Sequence, residues 1–476
     1  MININKQLKL KRFYTAAILL VFILSGCTKP SENPYLTKGN NYLASSSYSL
    51  ALEQYKLAIN DDPELVDSYL QASKILIAKG RYQEAHDLLL QGSEYALLKS
   101  GIFLQLGDLA YTMKDYAAAL TFYNQALDKD NTYQQAIIGK INSLILTNND
   151  KDMNSFLESL DPATLSQELQ IIRAIILIDD QNETVNSLKL AESGEDTDLS
   201  KQSAKIQNIL TTYYQEEDKL FSLAQIAYEA LANKWYAITL PISNKMIDIN
   251  EFYEGGYIYK GTIYLHLGEF DNAEKNLEKA QALNGNLTDT KILLAQVKYA
   301  KNEIDNGNKL LQYAKEPITS IPEVKFYNII KLLLSAKQYQ VALDFFDSFL
   351  ATRQITIPGL DILKLQSYFG LDRYGEVKTF AELLLTLKER FNNQDLAIIY
   401  STLGISQFYL GEKAAGLDLL EIANASDPTY AQGFYFIGVI YLDQGDQESA
   451  KKFLERAIDL DFSNEITVKA EELLPD

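Results

Sequence analysis

Apolar and small residues recur along this chain at three- and four-residue intervals, in short runs separated by glycine or polar clusters. The clearest run is residues 256–285, GYIYKGTIYLHLGEFDNAEKNLEKAQALNG. Tyr257, Lys260, Gly261 and Tyr264 share one helical face, and beyond Gly268 the residues Ala273, Leu277 and Ala280 share another. The spacing predicts two amphipathic helices with a break at Gly268. Gly261, Ala273 and Ala280 let the helices approach closely, while Tyr257, Tyr264, Phe270 and Leu277 fill the space around them. A pair this short cannot bury both faces alone, so copies are expected beside it.

The copies are there. Tyr35, Gly39, Tyr42, Tyr48, Ala51, Tyr55 and Ala58 repeat the spacing. Tyr69, Ser73, Leu76, Gly80, Tyr82, Ala85 and Leu89 repeat it 34 residues on. Phe103, Gly107, Ala110, Tyr116, Ala119, Tyr123 and Ala126 do so after another 34. Between Gln134 and Lys219 the pattern fades. Ile137, Ile141 and Leu144 keep the first-helix spacing, but Met153 stands where alanine is expected. Ile171, Ile175, Leu188 and Ala191 give a faint second copy. Residues 192–200, ESGEDTDLS, read as a polar, acidic break, and Ala204 to Tyr214 as an unpaired helix. From Gln134 to Leu220 is 86 residues, not a multiple of 34. Either an insertion or degenerate join divides two arrays here, or one solenoid continues through diverged repeats. Copies resume around Ala227 and Tyr236 and run to Phe434–Ala457, about twelve units in all by the repeat period.

This iterated pattern resembles the tetratricopeptide repeat (TPR). The resemblance implies an all-α fold: a TPR superhelical solenoid of about twelve helix-turn-helix units, with a break that would leave two halves. The expected organisation is an N-terminal array over 35–133, degenerate repeats and a join over 134–219, a C-terminal array over 220–462 and a capping helix over 463–476.

Composition narrows the function classes. Apolar residues make up 47% of the 476, enough for a continuous core, and the 31 tyrosines against a single Trp suit repeated helix interfaces. Lys plus Arg is 44 and Asp plus Glu is 63. Without residues 1–26, which hold four cations and no acid, 40 cations face 63 acids, a net charge of −23. Such a chain is a poor general nucleic-acid binder, because each phosphate contact calls for a cation. One cysteine rules out an internal disulfide. His86 and His266 lie far apart, each inside a repeat, and read as structural. There is no phosphate loop, dinucleotide fingerprint or zinc-spaced cluster. The acidic pairs Asp61-Asp62 and Asp179-Asp180 fall at helix ends, where caps or solvated charge are expected. No catalytic residue, metal site or cofactor is expected, and the chain does not read as an enzyme.

The N-terminus has the anatomy of a secretory signal peptide: basic residues from Lys6 to Arg12, then an apolar run from Phe13 to Leu24. That run is shorter than the roughly 20 residues that span a bilayer. Leu24-Ser25-Gly26-Cys27 resembles the lipobox of bacterial lipoproteins. The resemblance implies removal of residues 1–26, a covalent diacylglycerol on the Cys27 thiol and an N-acyl chain on its amine. Residues 27–34 would then be a short lipidated tether. Thr28, in place of the aspartate that retains lipoproteins at the inner membrane, implies the periplasmic face of the outer membrane in a Gram-negative cell.

In TPR arrays the first helix of each pair lines a concave face. The positions that follow the packing residues point into it. Those positions hold Asp108, Tyr111, Ile258, Thr262, Leu265, Gln296, Tyr299, Tyr327, Lys331, Ile362, Gln366, Phe369, Ile405, Phe408 and Tyr435. They form an aromatic and apolar lining with scattered amides, suited to a protein or peptide partner. No Lys/Asn/Arg clamp for a chain-terminal carboxylate can be assembled from them. The expectation is a lipid-anchored adaptor in a cell-envelope assembly (pilus, secretion or outer-membrane biogenesis). The alternative is an accessory lipoprotein in exopolysaccharide export or glycan binding.

Overall fold

The computed structural model describes residues 33–95, 99–215, 218–312, 322–351 and 354–474. These residues form 26 α-helices and no strand. The chain divides into two compact units, Met1–Leu98 and Lys99–Asp476. In the first, α1 (Pro34–Ala44), α2 (Tyr48–Asp61), α3 (Val66–Ala78) and α4 (Tyr82–Tyr95) pack in chain order.

The second unit opens with α5 (Ser100–Thr112) and α6 (Tyr116–Lys129), followed by α7 (Gln134–Leu146) and α8 (Asp150–Ser159). Next come α9 (Gln167–Ile176), α10 (Gln181–Glu192) and a longer helix, α11 (Thr197–Tyr214). Regular pairs return with α12 (Lys219–Ala232) and α13 (Tyr236–Ile249), α14 (Glu254–His266) and α15 (Phe270–Leu283), and α16 (Thr288–Ala300) and α17 (Ile304–Gln312). They continue with α18 (Glu323–Ser335) and α19 (Tyr339–Leu350), then α20 (Pro358–Phe369) and α21 (Tyr374–Leu385). The last pairs are α22 (Asn393–Tyr409) with α23 (Lys413–Ser426) and α24 (Ala431–Gln444) with α25 (Gln447–Leu460), capped by α26 (Glu465–Glu471). Twelve pairs thus stand beside an unpaired α11 and the terminal α26.

A backbone feature marks the units more sharply than any side chain. In every pair but α9–α10 the inner turn carries one residue with positive φ: Ser46, Gly80, Lys114 and Asn148, spaced 34 apart, then Lys234, Gly268 and Asn302, again 34 apart. Lys337, Asp372, Gly411 and Gly445 continue the series. A left-handed residue lets the chain leave one helix and enter the next within three residues, and glycine adopts it most readily. Only four of these eleven positions are glycine, so the mark is hidden in the sequence.

Close approach holds the pairs together. Tyr123 of α6 is 2% exposed and lies between Gly107 of α5 and Gly139 of α7, where a Cβ would strike its ring. Its hydroxyl donates to Asp108 Oδ1 at 2.8 Å. Gly39, Asn40 and Tyr55 repeat the device 68 residues earlier, with the Tyr55 hydroxyl 2.9 Å from Asn40 Oδ1. In α22 and α23, Gly404 and Gly416 bring backbone against backbone.

The faded middle of the sequence has its own architecture. Helix α13 packs against both α7 and α9, although the regular neighbour of α7 is α8. Ile137, Ile141, Ile171, Ile175, Ile206, Leu223, Ile238 and Ile242 share one core, so the segment folds back into a closed bundle. The single Trp, Trp235, seals it, donating from Nε1 to Glu168 Oε1 at 2.9 Å. Lys205 pairs with Glu229 at 2.6 Å, and the Tyr214 hydroxyl donates to the Ile178 carbonyl at 2.9 Å. The fold-back also joins two turns about 150 residues apart. Lys114 Nζ donates to the Gly268 carbonyl at 2.7 Å, and the Tyr116 hydroxyl to Glu269 Oε1 at 3.1 Å.

One detail departs from the sequence reading. The acidic stretch 192–200 is not simply a break: α11 begins within it, seven residues before Ala204. Asp196 caps that helix by accepting from the Asp198 and Leu199 amides, where the helix dipole favours negative charge. The extra α11 is the physical reason the spacing misses a multiple of 34. At the C-terminus, α26 is held by the Asp461 carboxylate, which accepts from the Ile466 and Thr467 amides at 2.9 and 2.8 Å. Of the acidic pairs, Asp180 caps α10, Asp179 pairs with Lys245, Asp62 accepts from the Glu64 amide and Asp61 from the Asn33 side chain.

Candidate functional site

The first helices of successive pairs carry the candidate lining. Tyr111 on α5, Ile258, Thr262 and Leu265 on α14, Gln296 on α16 and Tyr327 on α18 are all half-buried. So are Gln366 and Phe369 on α20, Phe408 on α22 and Tyr435 on α24, while Lys331 is exposed. The Thr262 hydroxyl is committed to the Ile258 carbonyl at 2.8 Å, which leaves its methyl for contact.

Three of the positions belong to the interior instead. Tyr299 is 9% exposed: its ring lies over Gly307 of α17, and its hydroxyl donates to Asn308 Oδ1 at 2.7 Å. It packs in the core with Ile292, Leu311 and Phe326. Ile362 packs with Leu365 and Val377, and Ile405 with Leu420 and Ile437. Helix α22 is buried continuously from Ser401 to Gln407, so it has no free face at Ile405.

The structure links Phe369 and Phe408 through residues that the spacing did not select. Phe369 meets Tyr374 at 6.2 Å, Tyr374 stacks on Tyr409 at 4.7 Å with planes 12° apart, and Tyr409 meets Phe408 at 5.4 Å. Tyr435 meets its neighbour Phe436 at 5.0 Å. Tyr409 is 52% exposed and Leu410 beside it 46%. The signal for Tyr409 was available: it follows Phe408 at the end of a first helix. Tyr374 opens α21 with its hydroxyl on Asp372 at 2.7 Å, and it reads from sequence as packing alone. The result is a continuous run of aromatic rings over α20, α21 and α22.

A second cluster surrounds Tyr111. Its ring lies 5.3 Å from Tyr116, and burial, then the nearby Glu269 carboxylate, push its hydroxyl up to about 12. Burial and Glu269 also raise Tyr116. Asp108 reaches solvent, yet burial of its carboxyl raises it, partly offset by the hydrogen bond from Tyr123. The fold-back thus sets Tyr111 beside the turn that follows Leu265. His266 stacks on Tyr236 at 4.4 Å and is lowered by burial, whereas His86 lies 3.5 Å from Asp87. Among the described residues, no group of His, Cys, Asp and Glu could hold a metal, and no helix is long and apolar enough to cross a membrane. Cys27 and the apolar run before it lie outside the described residues.

Comparison with known families gives matches to tetratricopeptide repeat models at residues 256–287 and 431–464, and at residues 70–133. A comparison with curated proteins finds no match. Among solved structures, the APC/C hetero-tetramer Cut9-Hcn1 is 13% identical with a TM-score of 0.37, covering 94% of this chain and 97% of that one. A tetratricopeptide repeat protein from Parabacteroides merdae is 15% identical with a TM-score of 0.43, covering 54% and 98%. The type IV pilus biogenesis factor PilW is 11% identical with a TM-score of 0.31, covering 54% and 99%. Residues 70–133, 256–287 and 431–464 are tetratricopeptide repeats, set within an all-α array of twelve helix pairs.

Proposed function

We propose that this protein is a lipid-anchored, non-enzymatic scaffold that binds protein partners in a bacterial cell-envelope assembly. TPR domains bind protein or peptide partners, and TPR proteins are generally scaffolds. The observation that carries the reading is the run of half-buried aromatic rings Phe369, Tyr374 and Phe408 around the exposed Tyr409, with half-buried Tyr435 on α24. Large aromatic side chains supply contact area at low entropic cost, and interface hot spots concentrate in them. Half-buried Gln296 and Gln366 add amides that can bond a partner's backbone.

The anchoring part rests on the sequence of residues 1–28. The assemblies that fit this reading are pilus, secretion or outer-membrane biogenesis machineries. Crosslinking in intact cells followed by mass spectrometry should recover specific protein partners, and Phe369→Ala with Tyr435→Ala should remove them. Recovery of nothing above background, or of the same partners with the double variant, would contradict the scaffold reading. Cys27→Ser should move the protein out of the membrane fraction, and unchanged fractionation would contradict lipid anchoring.

A further inference from the structure

The fold-back creates a cavity of about 310 Å³ between two walls nearly a hundred residues apart in sequence. One wall is the end of α7, the start of α8 and the end of α9, presenting Asn148, Asp150, Asn154 and Asp179. The other is α13 and α14, presenting Asn244, Lys245, Asp248, Lys260 and Tyr264. Ile145, Ile175, Leu240 and Ile242 form an apolar floor.

The first wall carries two carboxylates, Asp150 and Asp179, while the second carries both cations, Lys245 and Lys260, with one carboxylate, Asp248. Lys245 and Asp179 bridge the walls with an ion pair. Among the described residues, neither Asp150 nor Lys260 has an ion pair. Lys260 donates one hydrogen bond, to Asn244 Oδ1 at 2.7 Å, and so keeps two N–H donors. Burial lowers its pKa, against the opposing pull of Asp248. Helix α13 faces the cavity at Pro241, which has no backbone N–H to offer a ligand.

We propose that this cavity binds a small zwitterion, a free amino acid or dipeptide. Lys260 and Asn244 would take the carboxylate, and Asp150 with Asn148 and Asn154 the ammonium end. The volume sits at the lower end of the roughly 300–1,000 Å³ typical of small-molecule pockets, which suits a dipeptide and excludes a folded partner. This site is separate from the aromatic rings of α20–α22. It would make the bundle a sensor of a small metabolite beside a scaffold surface.

Calorimetric titration of the whole mature chain with the free amino acids and with Gly-Ala tests the proposal. Parallel arms use N-acetyl-Gly-Ala and Gly-Ala-amide, each lacking one charge. At least one zwitterion should bind, both blocked dipeptides should bind at least tenfold more weakly, and Lys260→Met and Asp150→Asn should each weaken binding at least tenfold. Trp235 emission, reporting on the same bundle, shows whether each variant stays folded. Lys260→Met should leave partner crosslinking intact, which separates this proposal from the scaffold reading. Absence of binding by every zwitterion, equal binding of a blocked dipeptide, or full binding by folded Lys260→Met would overturn it.

Discussion

Gly404→Ala should loosen the α22–α23 pair, and its cost follows from the geometry. A Cβ at residue 404 would stand 2.7 Å from the Gly416 carbonyl oxygen, 3.1 Å from Leu420 Cγ and 3.2 Å from Leu419 Cβ. Close C···O contacts settle near 3.3–3.6 Å, so the helices must part by about 0.6 Å. No flexible side chain can absorb that, because the nearest atom is backbone. Overpacking of this kind costs about 1–3 kcal/mol. Alanine returns about 0.5–1 kcal/mol of helix propensity, so the midpoints of the two ranges leave a net loss of about 1.3 kcal/mol. Gly375→Ala is the control: it lies in the first turn of α21 with nothing within 4 Å of its Cβ, so it should be neutral or slightly stabilising. A repeat array does not unfold as one two-state unit, so a single melting curve averages over the pairs. Amide hydrogen exchange resolves them. Gly404→Ala should lower protection in α22 and α23 by about tenfold, at 1.4 kcal/mol per decade, and leave α5–α7 unchanged. Undiminished protection in α22 and α23 would refute the close-approach argument.

Further outcomes follow from charge. Burial alone would raise Asp461, but hydrogen bonds from Ser463 and Thr467 hold its carboxyl below the ordinary value of about 3.9. Its contribution is therefore full above that value and lost as pH falls through the lower folded value, so α26 should fray in acid. Limited proteolysis after residue 462 should appear there first, and Asp461→Asn should show it at neutral pH; resistance of that variant would count against the cap. Lys298 bridges Glu274 and Glu303, while Lys301 reaches Asp271 and Glu274 at 2.7 Å. Lys298→Met should destabilise α15–α16 by about 1–3 kcal/mol, since Glu274 is sheltered and keeps only Lys301. Local exchange in α15 and α16 measures it, and unchanged protection would show the network to be dispensable.

What the sequence reveals and hides has a physical pattern. Helix pairing is local: Tyr257, Gly261, Ala273 and Leu277 announce it through spacing alone. Left-handed turns are also local, but Lys114, Asn148 and Lys234 adopt the conformation that Gly80 and Gly268 advertise, so only glycines are visible. Tyr299 was misplaced because its position counts as outward in a standard pair. Here Gly307 opens a slot that draws the ring inward. The contact of α13 with α7 and α9 depends on where an unpaired α11 redirects the chain, and no short window encodes that sum. Tyr374 and Tyr409 look like ordinary repeat residues until the structure stacks them.

The fold-back is the feature on which the cavity and the Lys114–Gly268 contact both rest. Cys27→Ser gives a background without cysteine, into which Lys114→Cys and Glu269→Cys can be placed. A short bismaleimide should then join the two positions within a monomer, because Lys114 and Gly268 touch in the folded chain. In a solenoid running straight through residues 134–219, four or more stacked layers of roughly 10 Å each would hold them on the order of 40 Å apart. Efficient intramolecular crosslinking is the predicted result, and its absence in the folded double variant would contradict the closed bundle.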